Sequence, residues 1–185
     1  MELETRLCRI RPFIRDDRNS LAELANDRRI SRNLTDQFPY PYTVQDADRW
    51  IELATQQDPM RNFAIDVEDQ LAGGIGVDPM DGEKRHVAAV GYWLAPSHWN
   101  QGIATEALRA IHEYALETFP QVQRLQASVY QWNPASGRVL EKCGFHLEAT
   151  LRDAIAKDGQ TTDEHIYSLF RNSSKKPRRS ADSER

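Results

Sequence analysis

The chain has 185 residues, 39% hydrophobic and 28% charged, with 16 aromatic side chains (4 Trp, 6 Tyr, 6 Phe). That suits one ordinary domain, with or without a tail, which buries about 70% of its extended surface on folding and is too rich in aromatics for a disordered chain. No stretch approaches the roughly 18 to 20 apolar residues of a membrane-spanning helix, and residues 1–10 mix two acids with two bases where a leader peptide needs an apolar run, so a soluble, cytoplasmic protein without membrane contact is expected. The two cysteines, Cys8 and Cys143, form no CxxC or Cys/His cluster and the five histidines show no ligand spacing, so no metal is expected. The net charge of -4 is uneven: six bases and two acids give residues 171–185 a sum of +4, which leaves -8 on residues 1–170. Such a basic end is either a nucleic-acid or ribosome contact or a solvated terminus.

Residues 3–13 alternate apolar and charged positions and predict a first strand, ended by Pro12. A helix follows over residues 15–27, with Leu21, Leu24 and Ala25 at helical spacing and Asp16 or Asp17 as its cap. Residues 33–42 lose both periodicities and form an aromatic, Pro-rich loop. Thr43 then caps an amphipathic helix carrying Ala47, Trp50, Ile51 and Ala54 on one stripe. Three strands at 63–67, 71–77 and 87–94 read as an antiparallel meander, the first two joined through Glu68-Asp69-Gln70. The longest helical pattern covers 102–119 and stops at Pro120. A strand at 124–130, a helix at 134–142 closed by Gly144, and two strands at 145–152 and 165–170 around Lys157-Asp158-Gly159 complete the order. The strand–helix–strand step in the second half predicts one parallel pair inside an otherwise antiparallel sheet.

The segment from Val90 through Pro96 to Ala107 is a strand, a short loop and a helix that opens on Gly102. A helix start presents amides without intrahelical partners at the positive end of its dipole, and the small Gly102 and Ala104 let an anion such as a diphosphate approach the amides of residues 101–105, with the Thr105 hydroxyl as a further donor. The same pattern also serves a tightly packed helix terminus. It matches neither the Walker loop nor the dinucleotide fingerprint.

Gly91-Tyr92-Trp93-Leu94 through Asn100-Gln101-Gly102-Ile103-Ala104-Thr105-Glu106-Ala107-Leu108 resembles the acyl-CoA motif of the GNAT superfamily of N-acetyltransferases, in its RimJ/RimL-like branch. Four further blocks agree: Arg9-Ile10-Arg11-Pro12-Phe13 with Asp16-Asp17; Phe38-Pro39-Tyr40-Pro41-Tyr42-Thr43; Asn133-Pro134-Ala135-Ser136 with Leu140-Glu141-Lys142-Cys143-Gly144-Phe145; and Leu151-Arg152-Asp153 with Asp163-Glu164-His165. The resemblance implies a GNAT domain over residues 1–171, of mixed α/β (α+β) class, with a mostly antiparallel sheet whose fourth and fifth strands splay apart, flanked by helices. Residues 172–185 then form a basic tail, expected to be disordered.

The resemblance further implies acetyl-CoA as co-substrate, without metal, held by Trp93, Leu94, Gln101, Gly102, Ile103, Ala104, Thr105, Asn133 and Ser136. The Leu94 backbone would polarise the thioester carbonyl. Where many relatives carry a tyrosine that protonates the departing thiolate this chain has Leu140, so Ser136 is the substitute, acting by hydrogen bonding because a serine hydroxyl is a poor acid. An amine acceptor must lose a proton, and Glu106 is either the base or a complement to the helix dipole; His86, Asp163 and His165 are further candidates or plain surface groups. Phe38, Tyr40, Tyr42, Trp132 and His165 would contact the acceptor, the aromatics being either its wall or a seal on the core edge, and Asp36, Asp46, Asp163 and Glu164 would draw a cationic one. Cys143 is expected to be a small buried residue rather than a nucleophile. By resemblance the acceptor is a protein or peptide α-amine of the ribosomal-protein type, attacked directly in a ternary complex; a small-molecule amine is the alternative, and a non-catalytic acyl-CoA-binding module a third. The expected partners include no nucleic acid, and the protein is a monomer or homodimer.

Overall fold

The computed structural model of the chain describes residues 2–171. The basic segment 172–185 lies outside them. The elements run β1 (Leu3–Glu4), β2 (Arg9–Arg11), α1 (Arg18–Ala25), α2 (Arg28–Ser31), α3 (Val44–Thr55), β3 (Asn62–Val67), β4 (Gln70–Pro79), β5 (Val87–Leu94), α4 (Ile103–Thr118), β6 (Arg124–Tyr130), α5 (Pro134–Lys142), β7 (His146–Lys157) and β8 (Gln160–Phe170). The strands form one sheet in the order β1-β2-β3-β4-β5-β6-β8-β7, antiparallel except where β5 meets β6. The α4 crossover thus creates the expected parallel pair.

Each helix pair covers one face of this sheet because its apolar stripe has nowhere else to go. Ala47, Ile51 and Ala54 of α3 join Leu21, Ala22 and Ala25 of α1 over Phe13, Ala64 and Leu71. On the other face Ile103, Ala107, Leu108 and Ile111 of α4 and Leu140 of α5 pack on Ile10, Phe63, Val77, Val90 and Leu125. A capping box starts α3: the Thr43 hydroxyl accepts from the Asp46 amide, and the Asp46 carboxylate accepts from the Thr43 amide at 2.8 Å.

The structure corrects several boundaries. The first strand is two, because the Thr5 hydroxyl accepts from the Cys8 amide at 3.0 Å and donates to the Cys8 carbonyl at 2.7 Å, folding residues 5–8 into a turn between β1 and β2. The helix over 15–27 breaks at Asn26, and Asp27 caps the separate α2 by accepting from the Arg29 amide at 2.7 Å. Strands β7 and β8 are longer than expected and run to a two-residue turn in which Asp158 and Gly159 both have positive φ, the geometry that suits a tight hairpin.

Asp17 does not cap α1 with its side chain. It turns back to Arg11, whose Nη1 and Nη2 donate to its two carboxylate oxygens at 2.8 and 2.9 Å while Nε donates to Asp66 at 2.7 Å. Arg11, Asp17 and Asp66 are 8%, 6% and 3% exposed, so this fork ties β2 to β3 and to the start of α1 out of water. The Asp17 bonds first, and then those to Asp66, raise the guanidinium above the ordinary arginine range against the cost of burial. Removing the cation leaves the buried Asp17 carboxylate without a cation and Asp66 with only Arg9, at 3.4 Å, a change that costs about 3–5 kcal/mol. Arg11→Met is therefore expected to lower unfolding stability by about that amount in urea melts at neutral pH, and Arg11→Lys, which cannot bond both acids in a fork, to recover only part of it.

Candidate active site

Strands β5 and β6 share just three registered pairs, Val87 with Arg124, Ala88 with Leu125 and Ala89 with Gln126, and separate beyond them. On its other side β5 stays paired with β4 as far as Leu94, which stands opposite Gly73. The Met80 amide donates to Val87 at 2.9 Å and the Ala95 amide to Ala72 at 2.8 Å, which assigns the odd-numbered residues of β5 to bonding with β4. The even-numbered ones face β6, so the amides of Tyr92 and Leu94 are directed into the parted region. The Leu94 carbonyl is already engaged by the Trp99 indole N–H at 2.8 Å, a bond that fixes the loop leading to α4.

That loop ends in Gly102 at φ +84°, the left-handed region, where a Cβ would also come within 3.3 Å of the Leu7 side chain. The amides of Thr105 and Glu106 both donate to the Gly102 carbonyl, at 3.0 and 3.1 Å. Among the described residues the amides of 101–104 have no protein acceptor, which leaves them aimed outward at the positive end of α4. They suit a diphosphate. Across the gap, Asn133 caps α5 by accepting from the Ser136 amide at 3.4 Å, and the Ser136 hydroxyl lies 2.9 Å from the Tyr92 hydroxyl.

On the opposite face of the sheet lies a groove of about 640 Å³. Its floor is the β4–β5 pair from Gly74 to Asp78 and Ala89 to Trp93, and its walls come from residues 34–42 and from Trp50 and Leu53 of α3. At Gly91 an added Cβ would meet nothing within 4 Å, so the floor there is bare.

A family model described as Acetyltransferase (GNAT) domain matches residues 7–146. The chain belongs to the GNAT acetyltransferase family. The ribosomal-protein-serine acetyltransferase of Escherichia coli is 35% identical over 106 residues, 57% of this chain and 58% of that protein. The uncharacterized N-acetyltransferase YoaA of Bacillus subtilis is 32% identical over 102 residues, 55% of this chain; the chain thus spans 56% of that relative's length. Among solved structures, RimL, a ribosomal L7/L12 α-N-protein acetyltransferase in complex with coenzyme A, superposes with a TM-score of 0.78 at 18% identity, covering 92% of this chain and 98% of its own. The microcin C7 self-immunity acetyltransferase MccE, in complex with acetyl-CoA and AMP, gives 0.76 at 20% identity, over 90% and 93%.

Within this GNAT fold, the splayed pair is β5 and β6, the fifth and sixth strands rather than the fourth and fifth because the first strand is split. Of the expected cofactor residues, Leu94 ends β5, Gln101 to Ala104 open α4, and Asn133 and Ser136 open α5. Thr105 is buried, its amide is spent on Gly102 and its carbonyl faces the Cys143 thiol at 3.5 Å, so the expected five-amide cradle narrows to four. Cys143 is half-buried, and burial pushes its thiol up from the ordinary range, as befits a packing residue. Trp93 turns to the groove, where it meets Phe38 edge-on at 5.8 Å, and Phe38 meets Tyr42 at 4.9 Å. Burial, and after it the Asp46 charge, pushes the Tyr42 phenol up to about 12.

The other acceptor residues stand elsewhere. Tyr40 is exposed beneath Arg28 at 5.2 Å, and Trp132 lies under Arg32 at 5.3 Å with its indole N–H buried and without an acceptor among the described residues. His165, bonded to Thr150 at 3.0 Å, lines a separate cleft of about 210 Å³ beside Asn133, Glu141 and Tyr167. Glu106 is not brought to the groove: it accepts from Arg109 at 3.1 Å, and Arg109 also holds the Lys142 carbonyl, so the acid belongs to the α4–α5 contact. Nor do the acids expected to draw a cation stand free. Asp36 holds Lys157, Asp46 holds Thr43 and Arg49, Asp163 accepts from the Asp153 amide, and Glu164 accepts from Ser128.

Tyr92 and Trp99 are the contributors that motif reading passed over. The alternation Val90, Tyr92, Leu94 already places the tyrosine on the helix-covered face; the reach of Trp99 back to Leu94 has no local signature. For the cradle, Gly102→Val forces a branched side chain into the left-handed region and against Leu7. It is expected to weaken acetyl-CoA binding at least about tenfold in calorimetric titration, a loss of 1.4 kcal/mol or more, with the thermal midpoint lowered by only a few degrees.

Proposed function

We propose that the chain is an N-acetyltransferase that moves the acetyl group of acetyl-CoA to an amine, and that its natural acceptor is the N-terminal α-amine of a protein or peptide, the ribosomal-protein type being the leading candidate. The observation that carries this reading is the meeting of two sites on one stretch of strand. The groove reaches β5 between Ala89 and Trp93, where β5 leaves β6, while the α4 amides and Ser136 stand on the other side of the parting. A donor and an acceptor entering from opposite faces would meet there without a covalent enzyme intermediate.

In this reading the Leu94 amide donates to the thioester oxygen as charge builds on it, the oxyanion role of a preorganised backbone donor. The acceptor nitrogen attacks the carbonyl carbon, the carbon–sulfur bond breaks toward Ser136, and the proton that the nitrogen then sheds passes through solvent to the CoA thiolate. The carboxylates lining the groove, Asp46 and Asp78, are paired with Arg49 and Arg61. Deprotonation of the incoming ammonium therefore falls to solvent at the open side of the groove. With its acids neutralised, the groove selects by shape and apolar contact, which suits the first side chains of a peptide lying over the bare floor at Gly91.

A panel of N-terminal peptides and free amines, followed by release of CoA thiol, tests the proposal. Peptides with apolar residues in the first two positions are expected to turn over best. Turnover of free amines with none of the peptides would overturn the N-terminal assignment in favour of a small-molecule enzyme, and acetyl-CoA binding without turnover of any amine would overturn the enzyme reading. Gly91→Leu fills the floor and is expected to raise the acceptor KM at least about tenfold, a loss of about 1.4 kcal/mol, while changing the acetyl-CoA KM less than about twofold.

A further inference from the structure

The Ser136 hydroxyl is not free. The Tyr92 hydroxyl lies 2.9 Å from the Ser136 hydroxyl and 3.1 Å from the Ser136 carbonyl. Tyr92 sits on β5 beyond Ala89, the last residue registered with β6, and Ser136 in the first turn of α5, so this contact spans the parting from one lip to the other. Burial is the largest influence on the phenol and drives it well above the ordinary tyrosine range. It therefore stays protonated and donates a hydrogen bond without surrendering its proton.

The single phenol proton has two acceptors within reach. Donated to the Ser136 carbonyl, it leaves the serine hydroxyl to donate back to the Tyr92 oxygen, and the serine proton points away from the reacting centre. Donated instead to the Ser136 oxygen, it frees the serine proton to turn toward negative charge in the gap, and the two bonds in series strengthen each other. We propose that Tyr92 is a positioning residue for Ser136, a two-state hydroxyl pair that turns the serine proton onto the departing sulfur as the carbon–sulfur bond breaks. No covalent bond forms or breaks within the pair, and each oxygen keeps its proton. The inference rests on the acetyl-transfer reading above and on Ser136 facing the sulfur.

Tyr92→Phe keeps the ring that packs over the sheet and deletes only the hydroxyl. With the best acceptor, kcat is expected to fall roughly five- to twentyfold, in line with the loss of one charge-directed hydrogen bond, while the acetyl-CoA KM stays within about twofold. Ser136→Ala is expected to fall by a similar factor, and the double variant no further than Ser136→Ala alone, because the phenol acts only through the serine. A tyrosine that merely packs α5 against β5 would instead lower stability and multiply its effect onto that of Ser136→Ala. An unchanged kcat in Tyr92→Phe, or a full further loss in the double variant, overturns the proposal and leaves the enzyme reading standing. A wild-type protein that releases no CoA thiol with any acceptor overturns both.

Discussion

A β-sheet is held along its length by a ladder, and this one abandons its ladder at an interior junction, where β5 and β6 keep three registered pairs and then part. The defect is tolerable because each lip is secured from outside. Strand β5 is bound to β4 over Gly73 to Pro79, and β6 is bound to β8 over its whole length from Arg124 to Tyr130. What the sheet loses in backbone pairing it keeps as amides of β5 directed into the parting. Fixed by the strand, such groups are oriented in advance for a charge placed between them. The parting also dictates where the helices must lie. Only α4 follows β5 and only α5 follows β6, so the helix starts at Gly102 and at Asn133 both open beside the same gap.

The walls of the groove depend on contacts that reach across the chain. The Lys157 ammonium, at the tip of the β7–β8 hairpin, donates to the Leu34 carbonyl at 2.7 Å and to Asp36 at 2.8 Å, and Arg28 pairs with Asp158 at 2.8 Å. The hairpin thereby clamps the loop that carries Phe38 and Tyr42. Isolated exposed ion pairs are worth little, but the Lys157 side chain is 9% exposed and one of its bonds goes to a backbone carbonyl, so this clamp holds a defined geometry. On the other side the Arg11 fork fixes β2 and the start of α1, and α1 supplies Leu21 to the groove. Loop and helix approach the bare floor from two independently tied supports.

Most of this architecture was legible because it obeys local rules. Strands β5 and β6 and helix α5 fall where period and punctuation place them, since each is bounded by Pro, Gly or a cap and carries a clean apolar pattern. The β1–β2 turn was not legible, because Thr5 closes it with a side chain that looks like any other strand residue. Helix α2 was hidden for the same kind of reason: four residues show no periodicity, and Asp27, which caps it, reads as the last residue of the preceding helix. In the site, the amide cradle could be read from Gly102 and its neighbours, whereas the fate of Glu106, Tyr40, Trp132 and His165 could not. Their partners, Arg109, Arg28, Arg32 and Thr150, are set by tertiary packing and not by spacing along the chain.

The charge asymmetry ends with a different meaning from the one it suggests. An excess of -8 over the first 170 residues invites the idea of a field that gathers cations. At the groove that field has no local agent, because Asp46 and Asp78 each face an arginine. Exposed acids spread over a surface act through water and are screened within about 8 Å at physiological salt, so they tune encounter and solubility more than they choose what lies in the groove. On the proposed reading, choice there rests on aromatic walls, an apolar floor and the room left by one missing side chain at Gly91. On the proposed reading this is recognition by exclusion, with the Leu94 amide at the end of the strand that floors the groove, and it requires that the acceptor present its amine and its first apolar atoms together.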